Sequence, residues 1–194
     1  LTLLISFYFG ENSTGGALID YPNQKEIVTL FSKDFKETIL NYDNFSTRHS
    51  PVLLIFLSFG EKLGLNDMMI RLFHLHLCLL LPLFFYKCLK LKFKEIDKKI
   101  LILISGLIFL SPTFRTLAIW PDSRLLGLLF FTLSIYFFLK FKKNYYFKYS
   151  VYNIIFYTIS SYISPNFSVF AIFFLYNYFF IIKVNINKII IILF

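Results

Sequence analysis

From Pro51 onward the chain is apolar in long blocks, separated by short clusters of lysine rather than by alternating polar positions. A helix needs about 20 apolar residues to cross the hydrocarbon core of a bilayer. The blocks 68–86, 100–119 and 125–139 approach or reach that length. A further pair, 151–164 and 167–182, is turned at Pro165 and Asn166, because proline disfavours helical geometry in the residue before it. Residues 1–9 are apolar but too few to span, and they read as the tail of a preceding span, so the whole chain reads as a fragment of something longer. The short alternating segments of a membrane β-barrel are missing. The pattern therefore predicts an all-α fold, a polytopic transmembrane helical bundle forming a single domain.

The segment 10–50 breaks this pattern with six acids and four bases. Within it Pro22 suits the first position of a helix, and Ile27, Phe31, Phe35 and Ile39 recur every four residues. That spacing predicts a surface helix over 22–40, lying on the membrane with Lys25, Glu26, Lys33, Lys36 and Glu37 facing water. Asp20 and Tyr21 stand just before it. The next apolar block, 52–65, has fourteen residues and reaches only about 21 Å at the helical rise. It reads as an interfacial or partly re-entrant helix packed beside the spans.

Composition sharpens the class. Of 194 residues 57% are hydrophobic, 21% aromatic and only 16% charged, and mean hydropathy is +0.67. A soluble domain carries about a quarter charged residues, so a soluble enzyme and a disordered tail are both excluded. The net charge of +9 would suggest nucleic acid in a soluble protein, but here its distribution points elsewhere. Twelve of the twenty bases lie in three clusters, at 87–99, 140–148 and 183–188. Short loops rich in lysine stay on the cytoplasmic side. On that rule 68–86 runs inward, 100–119 outward and 125–139 inward, and 10–50 and Trp120, Pro121 and Asp122 lie on the extracytoplasmic face. No nucleic-acid partner is expected.

Ionisable groups near a membrane are expensive unless solvated or used. On the outer face they are Asp20, Arg48, His49, Arg115, Asp122 and Arg124. Two carboxylates and three guanidinium groups on one side suit an anionic substrate, since arginine matches phosphate with a planar fork and a carboxylate can accept a proton. Each has a plainer role as well: Arg115 and Arg124 snorkel to headgroups, Asp122 caps the helix beginning at Ser123, and Asp20 favours a helix start through the dipole. His74 and His76 point to nearly opposite sides of one helix and cannot chelate together, and their plainer roles are packing and partnering Arg71. Cys78 and Cys88 lie about 15 Å apart along a helix and cannot bond. No zinc spacing, P-loop or dinucleotide turn is present, so no cofactor is expected and a divalent metal has no support in the spacing.

In order along the chain come a first span, an outer loop with an acid near its start, R-H-S-P at 48–51, an apolar helix ending near G-L-N-D, I-R-L-F at 70–73, a basic loop, and S-P…W-P-D at 111–122. This order resembles the N-terminal half of GT-C membrane glycosyltransferases, with the protein O-mannosyltransferases and the lipid A aminoarabinose transferase as the nearest relatives. The resemblance implies a multi-pass protein of a bacterial inner or plasma membrane with its active site on the extracytoplasmic side. It implies a polyprenyl-phosphate sugar as donor and a lipid, glycan or protein acceptor. Asp20 takes the position of the acid that contacts the acceptor as catalytic base. His49, with Arg48 beside it, takes that of the basic residue facing the donor phosphate, and Asp122 that of the later acid lining the pocket. In this reading Arg115 and Arg124 add to the phosphate site, and Tyr21 and Trp120 flank the sugar. Many members have two adjacent acids where this chain has Asp20-Tyr21, and some have lysine in place of His49. Two rival readings are a transporter or flippase for an anionic lipid or solute, and a structural assembly subunit.

Overall fold

The computed structural model describes residues 1–13, 16–47 and 50–182. Every element among them is helical: α1 (Thr2–Tyr8), α2 (Ala17–Lys33), α3 (Phe35–Leu40), α4 (Val52–Lys62), α5 (Asp67–Cys78), α6 (Leu80–Lys92), α7 (Lys98–Gly106), α8 (Pro112–Ile119), α9 (Ser123–Asn144), α10 (Phe147–Ile163) and α11 (Ala171–Tyr176), joined in places by 3₁₀ and π turns. Two of the described helices are long and apolar enough to cross a membrane, and a third is added if one bent pair counts as a single span.

The first of these helices is Asp67–Lys92, formed by α5 and α6. Asn66 starts it by accepting the Met69 N–H at 2.9 Å, with Asp67 in the first turn where the helix dipole favours an acid. A brief irregularity at Leu79 separates α5 from α6, as expected where Pro82 has no N–H to give to the carbonyl one turn earlier. The second is α9, capped at its start by Asp122 and carrying Lys142 and Lys143 in its last turn.

Between them the expected straight helix 100–119 is bent. Lys98–Leu110 and Pro112–Ile119 meet at 67°. Ser111, held extended by the following proline, ends one limb and caps the next by accepting the Phe114 N–H. Arg115 serves the carbonyls that the break orphans, donating from Nη1 to Leu110 O at 2.9 Å and Phe109 O at 3.3 Å.

The pair after α9 is shorter than a span. The 17-residue α10 turns at Ser164 into Pro165–Phe170, α11 and a π-helical Asn177–Ile181. α9 packs along α10 and also against α6. Gly127 makes the α9 contact close: a Cβ there would lie 2.8 Å from Ser164 Cβ and 3.1 Å from Phe167 Cε2. Polar groups stitch the same seam. Ser160 donates to Gly127 O at 2.8 Å, Asn153 donates to Ser134 O at 2.8 Å, and Tyr178 donates to Asn153 Oδ1 at 2.8 Å. Small residues and buried side-chain donors are how helices adhere where lipid removes the hydrophobic drive between them.

The polar segment differs from its expected form in two respects. The surface helix starts at Ala17 rather than Pro22, so Asp20 and Tyr21 lie in its first turns and Pro22 inside it. The four-residue stripe is also interrupted: Asp34 ends α2 and caps α3, leaving Phe31 fully buried and Phe35 exposed. α2 packs on α4, which ends at Lys62, short of the expected 65. Ile27, Val28, Phe31, Leu53, Leu54 and Leu57 form their shared core, continuous with α5, α8 and α9.

The ends of the long helices sort by charge. Lys90 in the last turn of α6, Lys94 after it, Lys98 at the start of α7 and Lys143 at the end of α9 line one cavity, so the first two lysine clusters share an end of the bundle. The third cluster, Lys183 and Lys188, lies outside the described residues.

Candidate functional site

At the opposite end of α9 is a cavity of about 440 Å³. Its floor is apolar, built by Ile27 of α2 and Leu53 and Leu54 of α4. Its rim is polar: Asp20, Asn23 and Gln24 from α2, Ser46, Thr47 and Ser50 from the loop between α3 and α4, and Ser123 from the start of α9. The helical spacing of 20, 23, 24 and 27 puts those four side chains on one face of α2, which is why one element supplies both rim and floor. Phe45 closes the side, at the end of a 3₁₀ turn that Ser46 leaves in the left-handed region at φ 52°.

Asp20 is exposed, and among the described residues no hydrogen bond or ion pair engages its carboxylate. Gln24 Oε1 and Ser50 Oγ are enclosed and lack a hydrogen-bond partner among the described residues. A buried polar atom without a partner carries a desolvation cost of roughly 1–3 kcal/mol, which a hydroxyl-rich ligand would relieve. Asp122, and to a smaller extent the Asp20 carboxylate, raise the Arg124 guanidinium further above its ordinary value.

Asp122 and Arg124 act as a unit. Asp122 is 2% exposed, caps α9 through the Arg124 N–H at 2.7 Å, and receives Arg124 Nε at 2.9 Å and Nη2 at 2.7 Å in a two-pronged pair. Asp122 thus holds Arg124 rather than lining the cavity, while Arg124 Nη1 makes no hydrogen bond among the described residues.

The other expected residues go elsewhere. Arg115 is bound to Glu11, with Nε to Oε2 at 2.8 Å and Nη2 to Oε1 at 2.7 Å. Its guanidinium holds the Glu11 carboxyl well below the ordinary carboxylate range, at about 2. Tyr21 is buried and donates to Asp67 Oδ1 at 2.6 Å, which Lys25 also meets at 3.1 Å. Burial and that carboxylate push the Tyr21 phenol upward. Trp120 donates to Glu11 O at 3.1 Å and lies 5.8 Å from the Tyr21 ring. These three residues tie α1, α2 and α5 to α8 and do not line the cavity.

Arg48 and His49 lie outside the described residues, although their chain neighbours Thr47 and Ser50 both line the cavity. His74 is fully buried, its Nδ1 3.1 Å from Ala118 O, with Cys78 as a neighbour; His76 bonds Leu72 O on the same helix. Among the described residues no group of three His, Cys, Asp or Glu is placed to hold a metal ion.

Sequence reasoning missed Asn23, Gln24 and Ser123 as rim residues, and Glu11 and Asp67 as partners. The 20-23-24-27 spacing was the available signal for the first two; the partners depend on contacts 104 and 46 residues apart along the chain. Comparison with protein-family models, with curated proteins and with solved structures finds no match to this chain.

Proposed function

We propose that this protein is a membrane glycosyltransferase of GT-C type, moving a sugar from a polyprenyl-phosphate donor to an acceptor hydroxyl at the extracytoplasmic face. One observation carries the proposal: an unpaired carboxylate, Asp20, stands on the polar rim of a sugar-sized cavity within the field of Arg124 at a helix start. Asp20 takes the proton of the acceptor hydroxyl. Its oxygen bonds to the anomeric carbon as the bond to the phosphate oxygen breaks, and the phosphate leaves with the electron pair. A single displacement needs one base and inverts the anomeric centre. The Arg124 Nη1 and the positive end of α9 offset charge on the departing phosphate, together with Arg48 and His49. Asp122 keeps Arg124 in place, and Gln24, Asn23 and Ser50 offer hydrogen bonds to sugar hydroxyls. The expected lipid tail lies against the exposed apolar faces of the spans.

The test is sugar transfer by the protein in membranes supplied with polyprenyl-phosphate sugars. Asp20→Asn, at normal expression, should abolish transfer; unchanged transfer would remove Asp20 as the base. The 67° break at Ser111 and Pro112 favours a second reading, a transporter for an anionic lipid, since broken helices are common in transporters. That reading predicts movement of radiolabelled donor across vesicles without any transferred product.

A further inference from the structure

We propose that the lysine-bearing end of the bundle holds a second site, for the headgroup of an anionic phospholipid with more than one negative charge. The proposal is independent of the sugar-transfer reading. A cavity of about 340 Å³ is lined there by Lys90, Lys94, Lys98, Lys143 and Tyr86. These lysines come from three separate places: the last turn of α6 and the loop after it, the first turn of α7, and the last turn of α9. No ion pair engages any of them among the described residues. The two acids of the same loop do not line the cavity, and Asp97 is occupied in capping α7 through the Lys99 N–H. Four like charges converging on one hollow repel one another, and a polyvalent anion between them turns that repulsion into attraction.

Depth and walls point to a lipid as the source of the anion. Ser123 lines the sugar-sized cavity and Lys143 lines this one, 20 residues apart on a single helix, which is about 30 Å at the helical rise. That is about the thickness of the hydrocarbon core, so the lysine cavity lies at headgroup level in the opposite leaflet. Phe93 and Leu101 form part of its wall, an apolar surface that suits glycerol and the start of acyl chains and gives nothing to a free phosphate. Basic pockets between spans on the cytoplasmic side are the usual cradle for such headgroups.

The experiment uses the chain in detergent micelles and in phosphatidylcholine nanodiscs, with three probes: phosphatidylglycerol, diphosphatidylglycerol and soluble inorganic pyrophosphate. Bound lipid is counted by native mass spectrometry and stabilisation is read from the thermal midpoint. Diphosphatidylglycerol should remain bound and raise the midpoint more than phosphatidylglycerol. In K90Q/K94Q/K98Q/K143Q that retention should fall at least tenfold, since each lysine near a headgroup contributes about fivefold. The lipid-free midpoint should not fall, because all four side chains are exposed and their mutual repulsion is removed. A control, K25Q/K33Q/K36Q/K62Q, removes as much charge elsewhere and should retain lipid normally. Equal loss in the control would overturn a localised site. Equal stabilisation by pyrophosphate would assign the cavity to a soluble phosphate and overturn the lipid. Undiminished retention in the quadruple variant would overturn the site altogether.

Discussion

Arg71 sits over the ring of Trp120, with Cζ 3.5 Å from the ring centroid, while its Nε donates to Ile119 O at 3.1 Å. One side chain therefore joins the first span to the last residue of α8 and its cap. Arg71→Ala should lower stability by about 2 kcal/mol, from the lost cation–π contact and the orphaned carbonyl. Trp120 is the sole tryptophan, so its emission reports on this contact directly. A thermal melt followed at that emission should show an earlier transition and a shifted native spectrum; an unchanged spectrum would contradict the stacking.

The Glu11–Arg115 pair gives a pH dependence of definite sign. The folded carboxyl titrates at about 2 against an ordinary 4.5. Its contribution to stability is therefore complete above about pH 4.5 and is lost as pH falls from there towards 2. Midpoints measured across that interval should decline in the native chain and decline less in Glu11→Gln.

Close packing at Gly127 should be intolerant of added atoms. In Gly127→Ala the new Cβ meets Ser164 Cβ at 2.8 Å, and in Gly127→Val two further methyl groups meet Phe167. Overpacking of this kind costs about 1–3 kcal/mol. Denaturation in detergent should rank native above alanine above valine, with Gly106→Ala, where no heavy atom lies within 4 Å of the added carbon, as an unaffected control.

Adjacent residues on α2 should separate chemistry from scaffold. Tyr21→Phe deletes the bond to Asp67 and should lower stability by about 1 kcal/mol while leaving most sugar transfer intact. Asp20→Asn should do the reverse, with transfer lost and the melting midpoint unchanged. A common effect of both substitutions on transfer alone would place Tyr21 in the sugar site.

Legibility followed the range of the interactions involved. Apolar blocks and their caps are local, so α9 and the span through α5 and α6 were visible, as was the start of α9 at Asp122. Ser111 and Pro112 were visible as punctuation, yet a 67° bend requires knowing that Arg115 can serve the freed carbonyls. The period reveals the surface helix, but the preference of proline for first positions points its start to Pro22; here five earlier residues, Ala17 to Tyr21, are helical too. At the site, charge selects Asp20 and Arg124 together with Arg115 and Asp122, and the family resemblance adds Tyr21 and Trp120. Which of these face a cavity and which face one another is decided by pairings across the fold, with Glu11 and Asp67, and no local pattern encodes them.

The break between α7 and α8 has a mechanical consequence. Its free carbonyls are satisfied by Arg115, and Arg115 is in turn clamped by Glu11 from the end of α1. One guanidinium therefore serves both the backbone at the joint, through Phe109 O and Leu110 O, and the carboxylate that holds it. The joint is thus an elbow braced from α1, and α8 leads from it to the start of α9, where Ser123 meets the cavity of Asp20.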